Sequence, residues 1–292
     1  MQPTDPIAVF PWLRFFPDSK IFQKLKLGIK IRNTLTNRIF NEHIKTFDPQ
    51  NIRDLTDNLL HLSQKKSIWE DAGFENVTQI QLESIINDLF TAGIETTLTT
   101  LRWFLIFILN YPQIQTKIYA EILAKLGKKH QISVADYDKL PYVKAVLHET
   151  HRHGSIAPLN LPRKTITDTS VGGYLIPKGT QVFFNLYNIH HDPTYWNEPG
   201  KFKPERWLDT DGSFKKEKAT HYLPFSAGTR VCLGERMAEI QMFLIVTKLL
   251  SNFEISLAPG EPMPSLTETK PAITLEPVKD PRVVLSSRKH FS

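Results

Sequence analysis

The chain has 292 residues, 41% of them hydrophobic, which is enough for one large domain or two small ones with a sizeable core. Its net charge of +6 does not favour a nucleic-acid partner, and an acidic protein or an anionic membrane surface fits that charge equally well. A single cysteine excludes an internal disulfide framework and suits a reducing compartment.

Residues 1–16 contain no signal peptide or membrane-spanning anchor. Residues 1–6 form neither a signal peptide nor an anchor, and the longest fully apolar run, residues 103–109, is too short to span a bilayer. Residues 7–16 are dense in aromatic side chains, which suits a membrane interface and a core segment equally. Apolar periodicity then predicts a long helix over residues 18–46 and a shorter one over residues 51–64.

A third helix is predicted from Thr78 to about Leu109, where a proline at position 112 stops it. Its middle, residues 92–100, reads AGIETTLTT and places a glycine, a carboxylate and four threonines where a buried helix would carry leucine. Threonine can bond back to a carbonyl one turn earlier and bend a helix. A solvated stretch would not fit the apolar residues on both sides, so the pattern predicts a functional kink.

Three further helical segments follow, over residues 113–126, 134–140 and 142–153. Glu149 and Arg152 lie at i,i+3 on the last of these, and an exposed pair of this kind would contribute only about 0–1 kcal/mol.

The neighbouring histidines, His148, His151 and His153, raise the alternative of a zinc-protease helix. That motif needs its two histidines at i,i+4, whereas His148 and His151 are at i,i+3, so the spacing argues against zinc.

The chain then changes period. Residues 155–164 are extended and punctuated by prolines, and a β-hairpin is predicted from residues 171–175 and 180–185, joined by a turn at 176–179. A helical turn at 186–190, an irregular loop at 191–207, a long helix at 237–250 and short strands at 253–257, 273–276 and 282–285 complete the chain. A loop of that length is usually functional.

The only cysteine, Cys232, lies where a glycine-bearing loop gives way to the last long helix. Unpaired N–H groups and the helix dipole favour a thiolate there, and Gly228 and Gly234 allow close backbone approach and positive φ angles. Arg230 offers a fixed cationic fork for a carboxylate. A soft thiolate beside such an arginine suits a haem, with sulfur on the iron and the guanidinium on a propionate. The alternative is a lone cysteine buried as a small hydrophobe.

The loop Phe225-x-x-Gly228-x-Arg230-x-Cys232-x-Gly234 resembles the haem-binding loop of the cytochrome P-450 family, the haem-thiolate monooxygenases. The resemblance covers nearly the whole chain. It implies a fold that is mainly α with small β-sheets, and specifically the C-terminal half to two-thirds of that fold. Residues 1–292 would then form a single partial domain, without the family's N-terminal anchor and first half.

The resemblance also implies the roles of individual residues. It assigns Cys232 as the axial ligand of the iron in haem b, and Glu95 and Thr96 as the catalytic acid and alcohol of oxygen activation. The remaining cofactor-binding residues would be Arg230, Phe225, Gly228, Gly234, Arg163, Ala92 and Gly93. The substrate wall would comprise Ala157, Leu159, Asn160, Leu161 and Ile273. Glu149, Arg152 and the Arg206 of a Pro-Glu-Arg-Trp turn would form a structural triad.

By this resemblance the function is insertion of one atom of dioxygen into an apolar, steroid-like small molecule. Electrons would come from NADPH through a cytochrome reductase, with a cytochrome b-type protein as a further donor and no nucleic acid involved. The place would be the cytoplasmic face of the endoplasmic reticulum membrane. Two alternatives are a non-catalytic remnant that at most binds haem or a partner protein, and a haem-thiolate isomerase or lyase. The intact Glu95-Thr96 pair argues against the isomerase.

Within the family, residues 11–13, 30–33 and 92–97 are most similar to the microsomal steroid 17-alpha-hydroxylase branch. Two positions depart from that branch: Asn160 replaces an apolar residue, and Ser226 replaces the second glycine of the cysteine loop. Because the family's first half would supply part of the substrate pocket, we expect residues 1–292 alone not to be a competent monooxygenase.

Overall fold

The computed structural model describes residues 20–65, 78–215, 220–270 and 274–288. The chain forms two compact units, Met1–Glu95 and Thr96–Ser292. The predicted fold class is confirmed, since long helices dominate the described residues and the strands form only small two-stranded sheets.

In the first unit the described residues form two complete helices, α1 (Lys20–Thr46) and α2 (Leu55–Ser63), and the first half of α3 (Gln79–Asn110). A small core of Phe40, Leu82 and Ile86 holds them. The α2 helix starts later than predicted because the Asp54 side chain caps it, accepting hydrogen bonds from the backbone N–H groups of residues 56 and 57.

The second unit is built on the other half of α3, which contributes much of its largest apolar core. Buried side chains of Trp103, Phe104 and Phe107 face residues of the later helices there. By length and composition α3 could cross a membrane, but a buried core helix passes the same test. Within this unit Thr100 donates a hydrogen bond from Oγ1 to the Thr96 carbonyl (2.9 Å), which is the predicted back-bond, and the helix runs unbroken across it.

Four more helices follow in the second unit: α4 (Pro112–Leu126), α5 (Pro141–Gly154), α6 (Leu186–His191) and α7 (Glu235–Asn252). Short 3₁₀ turns lie at Val134–Lys139, Pro204–Trp207 and Gly228–Arg230. The first of these replaces the short helix that was predicted over residues 134–140. Prolines at the first positions of α4 and α5 fix the helix starts without losing an intrahelical bond.

The strands are β1 (Arg163–Lys164), β2 (Thr169–Val171), β3 (Tyr174–Ile176), β4 (Gln181–Val182), β5 (Phe253–Leu257), β6 (Thr269–Lys270), β7 (Glu276–Pro277) and β8 (Val283–Ser287). They pair antiparallel as β1–β4, β2–β3, β5–β8 and β6–β7.

The predicted hairpin of residues 171–175 with 180–185 is wrong. Gly172 and Gly173, both with positive φ, form a two-residue turn inside the segment that was predicted as one strand. The strand at residues 181–182 pairs with β1 instead.

Candidate functional site

The cysteine loop runs from Phe225 to the start of α7 and contains the 3₁₀ turn Gly228–Arg230. The Cys232 N–H donates to the Phe225 carbonyl (2.8 Å), which closes the loop onto its own first residue. Gly228 has the expected positive φ of 73°, whereas Gly234 caps α7 with φ −87°. The prediction of positive φ on both sides of the sulfur is therefore wrong at Gly234, because a helix cap needs no left-handed residue. The second left-handed position is Ser226 (φ 67°).

The side chains of Cys232 and Arg230 are both exposed. Among the described residues, no carboxylate pairs with Arg230 and no hydrogen bond occupies the Cys232 sulfur. A Cβ added at Gly234 would lie 3.9 Å from that sulfur, so a side chain at this position would be in ordinary van der Waals contact with the thiol. Both side chains are thus available to a bound group.

A small cavity of about 40 Å³ lies in the second unit, beside the loop. It joins residues that were predicted from separate motifs: Thr96 of α3, Ala157 of the proline-rich segment and Phe225 of the loop. The other lining residues are Thr97, Thr100, His151, Ser155, Ile156, His190, Pro224, Ala238 and Met242. The cavity wall is therefore apolar with a few hydroxyl and imidazole groups.

The candidate oxygen-activation segment falls at the boundary between the two units. Ala92, Gly93 and Glu95 are exposed in the first unit, and Thr96 opens the second. A Cβ added at Gly93 would meet no described atom within 4 Å, so there is open space over this glycine.

The candidate substrate wall follows α5. Ala157 lines the cavity, and Leu159 and Leu161 are exposed. Asn160, with φ 57°, donates from Nδ2 to the Ser226 hydroxyl (2.9 Å) and accepts from the Leu161 N–H (2.7 Å). The two departures from the steroid branch are thus bonded to each other. The candidate Ile273 lies outside the described residues.

Arg163 begins β1 just beyond this wall and is partly exposed. Its Nη1 donates to the Leu161 carbonyl at 3.2 Å. Among the described residues, no carboxylate forms an ion pair with this guanidinium group.

The predicted triad is present as a buried ion network. Glu149 and Arg152 are fully buried, and Arg152 donates to both carboxylate oxygens at 2.9 and 2.7 Å. Arg206 donates from Nε to Glu149 (3.0 Å), and the Trp207 indole adds a bond of 2.9 Å. The Lys203 N–H is a further donor to Glu149 at 2.9 Å.

The charge of Glu149 is set by two opposing effects. Burial raises the pKa of Glu149, but the hydrogen bonds and positive charges of Arg152 and Arg206 outweigh burial and hold that pKa below its usual range. The carboxylate therefore stays ionised at neutral pH.

Two histidines at the cavity were not predicted as site residues. His151 and His190 are both buried, and burial lowers the pKa of His151 to about 4 and that of His190 to about 3. Both are therefore neutral at pH 7. The sequence shows a cluster of histidines around His151. Their spacing could be compared with that of a metal-binding motif, but it could not indicate a contact with a loop far away in the sequence.

In the described part of the chain, the group of side chains close enough to hold a metal ion is His43, Asp54 and Asp57, which does not include these histidines.

The chain is similar to known proteins in sequence and in fold. The family model described as Cytochrome P450 matches residues 2–281. The Steroid 17-alpha-hydroxylase/17,20 lyase of Gallus gallus is 38% identical over 262 residues, which cover 89% of this chain and 51% of that protein. Cytochrome P450 2D28 of Mesocricetus auratus is 40% identical over 260 residues, with 89% and 51% covered.

Among solved structures, a zebrafish cytochrome P450 with progesterone matches with a TM-score of 0.82 and 35% identity, covering 92% of this chain and 60% of that one. The fold and the cysteine loop together define a haem-thiolate protein class. This chain belongs to the cytochrome P450 family. It spans about half the length of the relatives that it matches.

The family implies a haem held by a cysteine thiolate, and the residues present fit such a group. Cys232 offers an exposed soft donor, and Arg230 and Arg163 offer guanidinium groups without a carboxylate partner among the described residues. The neighbouring cavity contributes an apolar wall that includes Phe225 and Met242.

Proposed function

We propose that the chain is the haem-binding part of a monooxygenase that inserts one atom of dioxygen into an apolar, steroid-like molecule. The observation that supports this best is the cavity that brings Thr96, Ala157 and Phe225 together beside the loop of Cys232. The names of the relatives support the substrate class, since they include steroid 17-alpha-hydroxylase/17,20 lyases and a structure with progesterone.

The cofactor-binding role falls to side chains of the second unit. Cys232 would bind the haem iron through its sulfur, and Arg230 and Arg163 would bind the propionates by charge-assisted hydrogen bonds. When bound, the haem supplies the activation of dioxygen, which the thiolate's electron donation favours. Phe225, Gly228 and Gly234 would shape the loop that carries the sulfur. By the family resemblance, the small residues Ala92 and Gly93 of the first unit would be further cofactor-binding residues.

The catalytic role falls to Glu95 and Thr96. Thr96 lines the cavity, so its hydroxyl can hold a water or pass a proton at Oγ1. Glu95, next to it on the helix, is an exposed carboxyl group that can take protons from solvent. Ala157, Leu159, Asn160 and Ile273 would form the wall that excludes water and orients the substrate.

Partners and location follow from the same proposal. Electrons would come from NADPH through a cytochrome reductase, with a cytochrome b-type protein as a second donor. The protein would work on the cytoplasmic face of the endoplasmic reticulum membrane. That residues 1–292 alone do not sustain turnover stays a prediction. Apolar side chains left exposed in the first unit, such as Leu27, Ile31 and Leu35 of α1, support it.

The deciding experiment is the absorption spectrum of the reduced, carbon monoxide-bound protein after reconstitution with haem. We expect a thiolate-type spectrum, its loss in Cys232→Ala, and no change in Lys248→Ala, an exposed position on the same α7 helix. A chain that takes up no haem would favour the non-catalytic remnant. An unchanged spectrum in Cys232→Ala would exclude Cys232 as the ligand.

A further inference from the structure

His190 connects the ion network of Glu149 to the segment of residues 222–225 that leads into the cysteine loop. It lies on α6 and is almost fully buried, with an exposed fraction of 1%. Its backbone carbonyl accepts a hydrogen bond from Arg152 Nη1 (2.7 Å). Its ring accepts the backbone N–H of Leu223 at Nε2 (3.0 Å), while Nδ1 lies 2.9 Å from the Ser155 hydroxyl. His190 therefore contacts the ion network through its backbone and the segment before the cysteine loop through its ring.

The bonds of His190 fix its tautomer. A backbone N–H can only donate, so Nε2 must carry no proton to accept from Leu223. In a neutral ring the proton is then on Nδ1, which donates to Ser155 Oγ. Burial keeps the ring neutral, since it lowers the pKa of His190 to about 3. A protonated ring would place one donor against another at Leu223.

The position of Leu223 is passed on to Cys232 through the backbone. The Leu223 carbonyl accepts the Ser226 N–H (3.0 Å), which forms a turn. Phe225 lies inside that turn, and its carbonyl accepts the Cys232 N–H (2.8 Å). Holding Leu223 therefore holds the carbonyl that closes the cysteine loop.

His151 supports the same segment from α5. Its Nδ1 lies 3.3 Å from the Tyr222 hydroxyl, and its ring meets the Phe225 ring edge to face at 5.1 Å. Three contacts with this segment, at residues 222, 223 and 225, thus come from two neutral histidines. The thiol itself is exposed, so the fixed geometry lies in the segment that precedes it.

We propose that His190 is a positioning residue for the cysteine loop, which acts as a neutral Nδ1-protonated imidazole and holds the backbone of Leu223. The importance of that loop rests on the proposed haem function, but the contact itself does not. Both readouts below need neither haem nor turnover, so they separate a failure of this proposal from a failure of the proposed function.

The first readout is the tautomer. In the ¹⁵N-labelled chain at pH 7, we expect the ring nitrogens of His190 to show a protonated Nδ1 and a bare Nε2, and to keep this state down to about pH 4. In Ser155→Ala, which removes the acceptor of the Nδ1 proton, the signal of this tautomer should weaken. A protonated Nε2 in the unmodified chain would overturn the proposal.

The second readout is hydrogen exchange of the backbone amides of Leu223 and Cys232. Losing one buried hydrogen bond should speed both exchanges about tenfold in His190→Leu. The Ile255 amide, which donates to the Gln115 side chain in the core, should keep its rate and so exclude global unfolding. His190→Gln, which keeps an acceptor near the Nε2 position, should restore slow exchange at Leu223.

His191→Leu is the matched control, because His191 lies on the same helix and its Nδ1 contacts the Tyr187 carbonyl (2.9 Å) rather than the loop. Equal exchange rates at Leu223 in His190→Leu and His191→Leu would overturn the proposal. If His190→Leu does not fold, the Ile255 amide reveals this, and the tautomer and the His190→Gln exchange decide the question.

Discussion

Replacing Glu149 by alanine should destabilise the second unit severely. Glu149 has no exposed side-chain area and accepts five hydrogen bonds, from Arg152 (two), Lys203, Arg206 and Trp207. Its removal leaves the guanidinium of Arg152, also fully buried, and that of Arg206, 9% exposed, without a carboxylate. Removing one partner of a buried ion pair costs about 3–5 kcal/mol. Since domains are stable by about 5–15 kcal/mol, Glu149→Ala should lose about a fifth of that stability or more.

Urea unfolding, followed by tryptophan fluorescence, measures this loss, because Trp207 donates directly to Glu149. Glu205→Ala is the matched control. Glu205 lies in the same 3₁₀ turn as Arg206 and Trp207. Among the described residues its carboxylate pairs only with Lys117, and both of these side chains are about half exposed, so Glu205→Ala should cost about 0–1 kcal/mol. The reasoning would be refuted if Glu149→Ala lowered the free energy of unfolding no more than Glu205→Ala.

Two further predictions concern the buried histidines and the Asn160–Ser226 bond. In the unfolded chain His151 and His190 titrate near 6.5, whereas the folded values are about 4 and about 3, so below pH 6.5 the unfolded state binds more protons and stability falls. At about 1.4 kcal/mol per pH unit for each histidine, these two residues together should lower the free energy of unfolding by about 4 kcal/mol between pH 7 and pH 5, and His191, whose pKa burial lowers to about 4, should add to that loss. In urea unfolding, His151→Gln combined with His190→Gln should therefore lose about 4 kcal/mol less over this pH range than the unmodified chain. A double-mutant cycle with Asn160→Gly and Ser226→Gly, which relieves the positive φ at both positions, should give a coupling of about 0.5–1.5 kcal/mol for the shared bond. A coupling of zero would show that the two departures from the steroid branch are independent.

The helices were predictable because their signals are local. Predicted bounds of 18–46 and 78–109 compare with helices at Lys20–Thr46 and Gln79–Asn110, since apolar periodicity and a following proline act within one or two turns. The strands were harder, because a strand of two or three residues has almost no periodicity. The glycine pair at 172–173 was the available hairpin signal, and it outweighs the turn assigned to residues 176–179.

At the site, too, local contacts could be predicted from the sequence and long-range contacts could not. Cys232 and Arg230 belong to one loop, so their spacing in the sequence already placed them together. The contacts of His190 with Leu223 and of Asn160 with Ser226 join residues 33 and 66 positions apart. No local pattern encodes such a pair. Whether a buried histidine or an asparagine turns toward a loop is decided by tertiary packing, which a single sequence does not display.

The ion network also explains how a long irregular loop is held in place. Glu149 neutralises one of two arginines, and the remaining positive charge is shared among backbone carbonyl oxygens. Arg152 donates to the carbonyls of residues 190, 199 and 201, and Arg206 to those of residues 197, 198 and 201. Both guanidinium groups also lie within 6 Å of the Trp196 ring. The loop that follows α6 is thus fixed by charged donors rather than by regular secondary structure. Because His190 lies in the last turn of α6, just before that loop, and holds Leu223 through its ring, the ion network of Glu149 also supports the segment that leads into the cysteine loop.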